Sequence, residues 1–498
     1  MLGRTIRSKF PIGGVAKASN SEYLCGVLFR GKGQGFVLIS TMQKKPMHPS
    51  RLVAIAFGAV AALGTILLST PMATKSGEST PITDALFTAV SAVTVTGLSV
   101  VDTQLHWNMF GHVVIALLIQ VGGFGIVGFA TLIGYLLDGR ISLQNRLSSS
   151  SESATAIAPN VKTLLLNILK MMLFFQTLGF IFLFFRFLTK YGYSVSEAFG
   201  HGLFHGISAF NNAGFSLYSD SLIGFADDGW ILVPIFMATM LGSLGFPVLA
   251  EIRDRLKLVI YRLRKKVAPY TMPPQWSLNS RIILWSTLVL VVLGTLYVAL
   301  LEWNNAATLG QMDPLSKFIN SVFAAVMPRT AGFNSVDIAA LNPATWLGMD
   351  MLMFIGGGSA STAGGIKIGT AVILIFIIYT EIRGETAVNV GNRRLPRSIQ
   401  RQALAIISLT SLAILSATIV LRLTTEFSLD KILFEVISAV CTVGLSTGIT
   451  ADLHEPGKVM LSVLMFIGRL GPISIATALA LRKTKRHFEY PRERPLIG

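Results

Sequence analysis

Cysteine is nearly missing from this 498-residue chain, which has only Cys25 and Cys441, far apart. Two distant cysteines exclude a disulfide framework and a cysteine-based metal site. Charge is scarce too, at 13% of residues, where soluble domains carry about 25%. Acidic charge is the scarcer sign, with 25 acids against 42 lysines and arginines. No His-Glu-x-x-His pair, no Walker phosphate loop and no aspartate pair within the apolar runs occurs, which excludes the common metal-hydrolase and nucleotide-hydrolase sites. What abounds is apolar: 52% of residues are hydrophobic and mean hydropathy is +0.62. Several runs reach the roughly 20 apolar residues that a bilayer crossing takes.

The net charge of +17 would suggest nucleic acid for a soluble chain. Here the basic residues gather in loops that alternate with acidic ones, as membrane orientation requires. Arg253, Arg255, Lys257, Arg262, Arg264, Lys265 and Lys266 fill one loop, Arg383, Arg393, Arg394, Arg397 and Arg401 a second, and Arg482, Lys483, Lys485, Arg486, Arg492 and Arg494 the end. Asp102, Asp220, Asp227, Asp228, Asp337, Asp452 and Glu455 lie on the alternate segments. Both termini are therefore expected in the cytoplasm, the lipid bilayer is the expected partner and nucleic acid is not. Acids at an outer mouth would concentrate cations.

One phrase occurs four times: Thr94-Val95-Thr96-Gly97-Leu98, Asn211-Asn212-Ala213-Gly214-Phe215, Arg329-Thr330-Ala331-Gly332-Phe333 and Cys441-Thr442-Val443-Gly444-Leu445. Successive glycines are 117, 118 and 112 residues apart, the spacing of an internal repeat. A cation leaving water needs oxygens in place of its hydration shell, and a ring of backbone carbonyls supplies them. Glycine permits the backbone that points carbonyls inward. The bland alternative is a repeated tight turn. Four copies in a membrane chain favour one four-sided pore, with Thr94, Val95, Thr96, Gly97, Asn212, Ala213, Gly214, Thr330, Ala331, Gly332, Thr442, Val443 and Gly444 as ion-binding residues.

Each phrase sits in the order span, half-helix, phrase, span. Expected spans are 52–68 and 110–137, 164–188 and 230–252, 282–301 and 347–379, and 404–423 and 459–481. The half-helices are 85–93, 195–210, 315–326 and 429–440. The expectation is an all-α membrane protein of four concatenated repeats around one central pore, with eight full transmembrane helices. The repeats occupy 51–158, 159–268, 269–398 and 399–482, between a basic tail at 1–50 and a second tail at 483–498.

The third repeat's second span is interrupted by Gly356-Gly357-Gly358-Ser359-Ala360-Ser361-Thr362-Ala363-Gly364-Gly365, then Ile366-Lys367. A helix does not readily run through so many glycines, and unwound backbone at membrane depth survives only when buried in protein or lining water. The segment reads as a gate below the pore, with glycine-mediated helix packing as the alternative. Arg469, in Phe466-Ile467-Gly468-Arg469-Leu470-Gly471-Pro472, lies inside the last span. A cation there needs a partner or water. It reads as part of the gate, pairing with loop carbonyls or acting as a positive barrier, with snorkelling to the interface as the alternative. Gly123-Phe124-Gly125-Ile126-Val127-Gly128 matches a dinucleotide fingerprint but lies in an apolar span without a preceding strand, so it reads as packing glycine. Gly444-Leu445-Ser446-Thr447-Gly448 matches a hydrolase elbow but follows a half-helix. No enzyme is expected.

The four phrases, the glycine-serine run ending at Lys367, and the Phe-Ile-Gly-Arg-Leu-Gly-Pro segment together resemble the Trk/Ktr/HKT superfamily of potassium transporters, over about residues 50–498. The chain looks most like bacterial Ktr membrane subunits, because 1–50 is too polar to supply the extra N-terminal spans of Trk-type subunits. The resemblance implies gated potassium uptake across the bacterial inner membrane, by a homodimer on a cytoplasmic ring of nucleotide-binding RCK subunits. No cofactor is implied on this chain. It implies K+ as the transported ion and Na+ as a stimulating one, with glycine at all four phrase positions fitting potassium preference. An obligatorily sodium- or proton-coupled carrier is the competing reading.

Overall fold

A computed structural model describes residues 49–125, 128, 161–264, 276–391 and 393–471. Residues 1–48 and 483–498 of the expected tails, the far ends of the 110–137 and 459–481 spans and the basic residues Lys265, Lys266 and 482–494 lie outside the described residues, while Pro49 and Ser50 open the first helix. The chain is helical: α1 Pro49–Ser69, α2 Ile82–Thr94, α3 Met109–Gly123, α4 Val161–Lys190, α5 Val195–Asn211, α6 Gly229–Leu244, α7 Phe246–Leu263, α8 Leu278–Glu302, α9 Pro314–Val326, α10 Pro343–Phe354, α11 Ile368–Ile382, α12 Arg397–Thr424, α13 Leu429–Val440 and α14 Glu455–Leu470. A small antiparallel hairpin, β1 Asn389–Val390 with β2 Arg393–Arg394, joins α11 to α12 within this otherwise helical fold, which meets the all-α expectation.

Among the described residues three helices are long and apolar enough to cross a membrane, α4, α8 and α12, or four if the bent pair α6–α7 counts as one span. They turn large apolar side chains outward, including Leu173, Phe174 and Phe185 on α4, Trp285 and Leu293 on α8, and Leu412 and Leu415 on α12. Water would not tolerate such a surface, and lipid does. The helices α2, α5, α9 and α13 have 13, 17, 13 and 12 residues. At 1.5 Å per residue all are shorter than the ~30 Å hydrocarbon layer. Their starts are set by side chains: Ser194 and Glu197 form a capping box on α5, and Asp313 accepts from the Leu315 and Ser316 amides at the Pro314 start of α9.

Packing runs round a closed circuit. α3 packs on α5, α6 on α9, α10 on α13, and α14 on α2. The last contact joins the chain's two ends and carries the ion pair of Lys458 Nζ with Asp84 Oδ1, 2.9 Å apart. A difference from expectation lies in the 230–252 span. It bends by 105° at Gly245 between α6 and α7. The third repeat's span is therefore not alone in being broken.

Three helix ends follow one rule. A Cβ on Gly122, Gly242 or Gly468 would run into the carbonyl oxygen of Val93, Phe210 or Val440, each near the end of a short helix. Three residues later stand Gly125, Gly245 and Gly471, all with positive φ (78°, 95° and 81°), a backbone that suits glycine and ends a helix.

Candidate functional site

The short helices α2, α5, α9 and α13 each run straight into a glycine phrase. Two residues before each glycine stands a residue in the left-handed region: Val95 at φ 58°, Asn212 at 61°, Thr330 at 71° and Thr442 at 50°. Three of these are β-branched, where such a backbone is strained. The surroundings hold it. Thr96, Ala213 and Val443 donate their amides to the carbonyls of Ser91, Ser208 and Ser438, each at 2.8 Å. The Ser91 and Ser438 hydroxyls accept from the Gly97 and Gly444 amides at 3.1 Å. The third phrase differs: Ala331 donates to Met327 O at 3.0 Å.

The four glycines form a ring. A Cβ on Gly97 would strike Ala213 O, and one on Gly444 would strike Thr96 O. On Gly214 it would lie 2.8 Å from Ala331 O, and on Gly332 2.5 Å from Val443 O. Each phrase thus abuts the carbonyl just before the next phrase's glycine, and the fourth returns to the first. The short helices bring four C-termini to this ring, and a helix C-terminus carries about half a negative charge. The structure brings Thr94, Val95, Thr96, Asn212, Ala213, Thr330, Ala331, Thr442 and Val443 together with the glycines at one place. Carbonyls and negative dipole ends there suit a desolvated cation and repel an anion.

On one side the glycines line an open cavity of about 350 Å³ with Asp102, Asp220 and Asp337. These acids also serve the backbone, accepting from the amides of Leu105, Gly224 and Ala339. Asp228 does not share the expected role at the mouth. It is buried and bound by Arg186 at 2.8 Å, Lys190 at 3.2 Å and Tyr191 at 3.0 Å. Burial alone would raise its carboxyl, but those hydrogen bonds outweigh it and hold it below the usual carboxylate range.

On the other side lies the loop of residues 355–367. Thr362 Oγ1 sits 3.2 Å from Phe210 O and 3.1 Å from the Asn212 side-chain amide, whose NH2 donates to it, and a Cβ on Gly364 would strike Thr442 Oγ1. The loop is tied to the α6–α7 bend by Gly358 N to Ser243 O at 2.7 Å and Phe246 N to Ala360 O at 3.1 Å. Within it, Lys367 Nζ donates to Ala363 O at 2.5 Å. Arg469 is buried, 6% exposed, and donates to Thr362 O and Gly122 O, both at 2.5 Å. Its guanidinium therefore joins the loop to the end of α3 and does not snorkel.

Sequence reasoning missed Arg329, which is 2% exposed behind the third phrase and donates to Thr287 Oγ1 at 3.4 Å. Its signal was a charge inside a phrase otherwise small and apolar. Also missed was the loop's dependence on the α6–α7 bend, signalled by Gly242-Ser243-Leu244-Gly245-Phe246-Pro247. Among the described residues no group of three or more His, Cys, Asp or Glu side chains could hold a metal ion.

A helical fold with a lipid-compatible surface and a carbonyl ring defines a membrane transport protein rather than an enzyme. The family of cation transport proteins called TrkH matches residues 38–489. The chain belongs to that family, whose members are integral membrane proteins. Among its relatives is "Ktr system potassium uptake protein B" of Vibrio alginolyticus, 34% identical over 470 residues, covering 94% of this chain and 99% of the relative. The protein of that name from Bacillus subtilis is 36% identical over 450 residues, covering 89% and 95%. The solved potassium transporter TrkH from Vibrio parahaemolyticus shares the fold, with a TM-score of 0.66 at 17% identity, over 89% of this chain and 87% of that one.

Proposed function

We propose that this chain is the membrane subunit of a bacterial potassium uptake system. Four span–half-helix–phrase–span repeats surround one central pore, with eight spans, the second of repeats two and three broken, and both termini in the cytoplasm. The single observation that carries this reading is the closed glycine ring with four helix C-termini aimed at it. The relatives named for potassium uptake support the choice of ion. The thirteen phrase residues form a selectivity filter, and residues 356–365 with Arg469 form the gate. The subunit works as a homodimer on a cytoplasmic RCK-type ring, binds no cofactor itself and is stimulated by sodium.

The test is potassium uptake in cells stripped of their own uptake systems, with and without sodium. Saturable uptake that depends on this chain supports the proposal, and none in cells that make the folded chain and its regulatory partner refutes it. A second reading, an obligatorily sodium- or proton-coupled carrier, draws support from the repeated helix breaks, because carriers bind substrate between broken helices. Single-channel currents at zero sodium and zero proton gradient would separate the two, since a coupled carrier passes none.

Arg469→Gln should raise the maximal rate. The substitution removes the charge and one of the ties between Thr362 and Gly122. A gate bias of ~1.4 kcal/mol corresponds to about tenfold in rate, within reach of hydrogen bonds from a charged donor. Wild-type uptake by the variant at every potassium concentration would remove Arg469 from the gate.

A further inference from the structure

Nine residues before the phrase glycines stand Thr88, His205, Phe323 and Glu435. In α5 and α13 this position reaches the chain beyond the glycine. His205 is fully buried, and its Nδ1 donates to His201 O at 2.8 Å, which leaves Nε2 as an acceptor. At Nε2 lie Ser216 Oγ, 3.1 Å away, and the Leu217 amide, 3.4 Å away. These are two and three residues past Gly214. Glu435 is also fully buried, and its Oε1 accepts from Thr450 Oγ1. Thr450 stands six residues past Gly444, and Ser446 two past it. Ser446 and Thr450 in turn bond each other at 2.8 Å. Thr88 instead donates back to Asp84 O at 2.9 Å, and Phe323 has no polar atom to offer its loop.

We propose that Glu435, with His205 at the matching place, is a positioning residue that holds the outer arm of its glycine loop. The ring runs first, second, third, fourth phrase in order, so these two clamps face each other across one diagonal. They fix the separation of the second- and fourth-phrase carbonyls and thereby the preference among monovalent cations. The other diagonal carries no such clamp. The inference rests on the filter reading above. A buried acceptor that pins a donor of the loop resists loop displacement, because the freed donor would be left desolvated.

The experiment measures half-saturating potassium and the potassium-to-sodium preference in cells carrying the full chain with its regulatory subunits. Glu435→Leu and Thr450→Val should each reduce the preference about tenfold, the effect of leaving one buried hydrogen-bonding group unsatisfied. Glu435→Gln, which keeps the Oε1 acceptor, should restore most of it, and Thr88→Val should leave it unchanged. The Glu435→Leu/Thr450→Val double variant should be no worse than the worse single one. Unchanged preference in a monodisperse Glu435→Leu protein, a fall in maximal rate alone, or additive losses in the double variant would overturn the clamp. If Glu435→Leu does not fold, unchanged preference in Thr450→Val overturns it. Gly444→Ser in the same assay separates the two levels. If it changes preference while Glu435→Leu does not, the clamp fails alone. If neither changes it, the filter reading fails.

Discussion

Deleting residues 359–362 should raise the maximal rate of potassium uptake by on the order of tenfold, the factor that a shift of ~1.4 kcal/mol in a two-state gate produces. The half-saturating concentration should stay within about twofold, because that quantity is set at the carbonyl ring. The deletion removes the Thr362 hydroxyl from beneath Phe210 and Asn212, the Thr362 carbonyl from Arg469, and the Ala360 carbonyl from the Phe246 amide. Gly358 precedes the deleted residues and Gly364 follows one residue after them, which eases closure of the shortened loop. A gate must hold two states, and a regulator acts by binding one of them better. A loop too short to reach the ring loses its closed state, and uptake should depend less on the cytoplasmic subunit. The measurement is initial uptake against external potassium, with and without that subunit. A well-expressed deletion variant with wild-type maximal rate and full dependence would return residues 356–365 to the role of helix packing.

The short helices were the most legible part of the fold. The expected 429–440 and 315–326 meet Leu429–Val440 and Pro314–Val326, because Asp313-Pro314 marks a start and the glycine phrase an end. The helix ends near Gly125 and Gly245 were hidden. A helix that stops inside an apolar run leaves the hydropathy of the run unchanged, and only the paired glycines three residues apart betray it. Residues 356–365 escaped this fate because their length of glycine and serine breaks the apolar pattern itself. The positions of His205 and Glu435 were illegible for another reason. Each looks like a stray polar residue on an amphipathic helix, and only their common distance from a glycine makes them a pair. Asp228 read as a mouth acid because sequence cannot place Arg186, 42 residues earlier, beside it.

Gly97→Ser should lower potassium preference over sodium by at least about tenfold, the factor that 1.4 kcal/mol of lost discrimination represents. Two costs act together. Gly97 has φ +97°, a backbone that L residues rarely adopt, and a left-handed residue alone costs about 1–2 kcal/mol. A Cβ there also strikes Ala213 O, which belongs to the neighbouring phrase. The carbonyl cannot retreat freely, because the Ala213 amide is held by Ser208 O at 2.8 Å. The ring must therefore widen or tilt a carbonyl, and either change favours ions that keep more of their water. The geometry also predicts an order among the four glycines when each is changed to Ala. Gly444 and Gly97 should suffer most, since their added Cβ would press hardest on the next carbonyl. Gly332 follows, with Val443 O 2.5 Å away, and Gly214 should be mildest, with Ala331 O at 2.8 Å. The readout is relative potassium and sodium uptake by variants of equal membrane abundance. Unaltered preference in Gly97→Ser would argue that the ring does not touch the ion. An order with Gly214 most sensitive would argue that the ring is touched but that steric pressure between neighbours does not set its width.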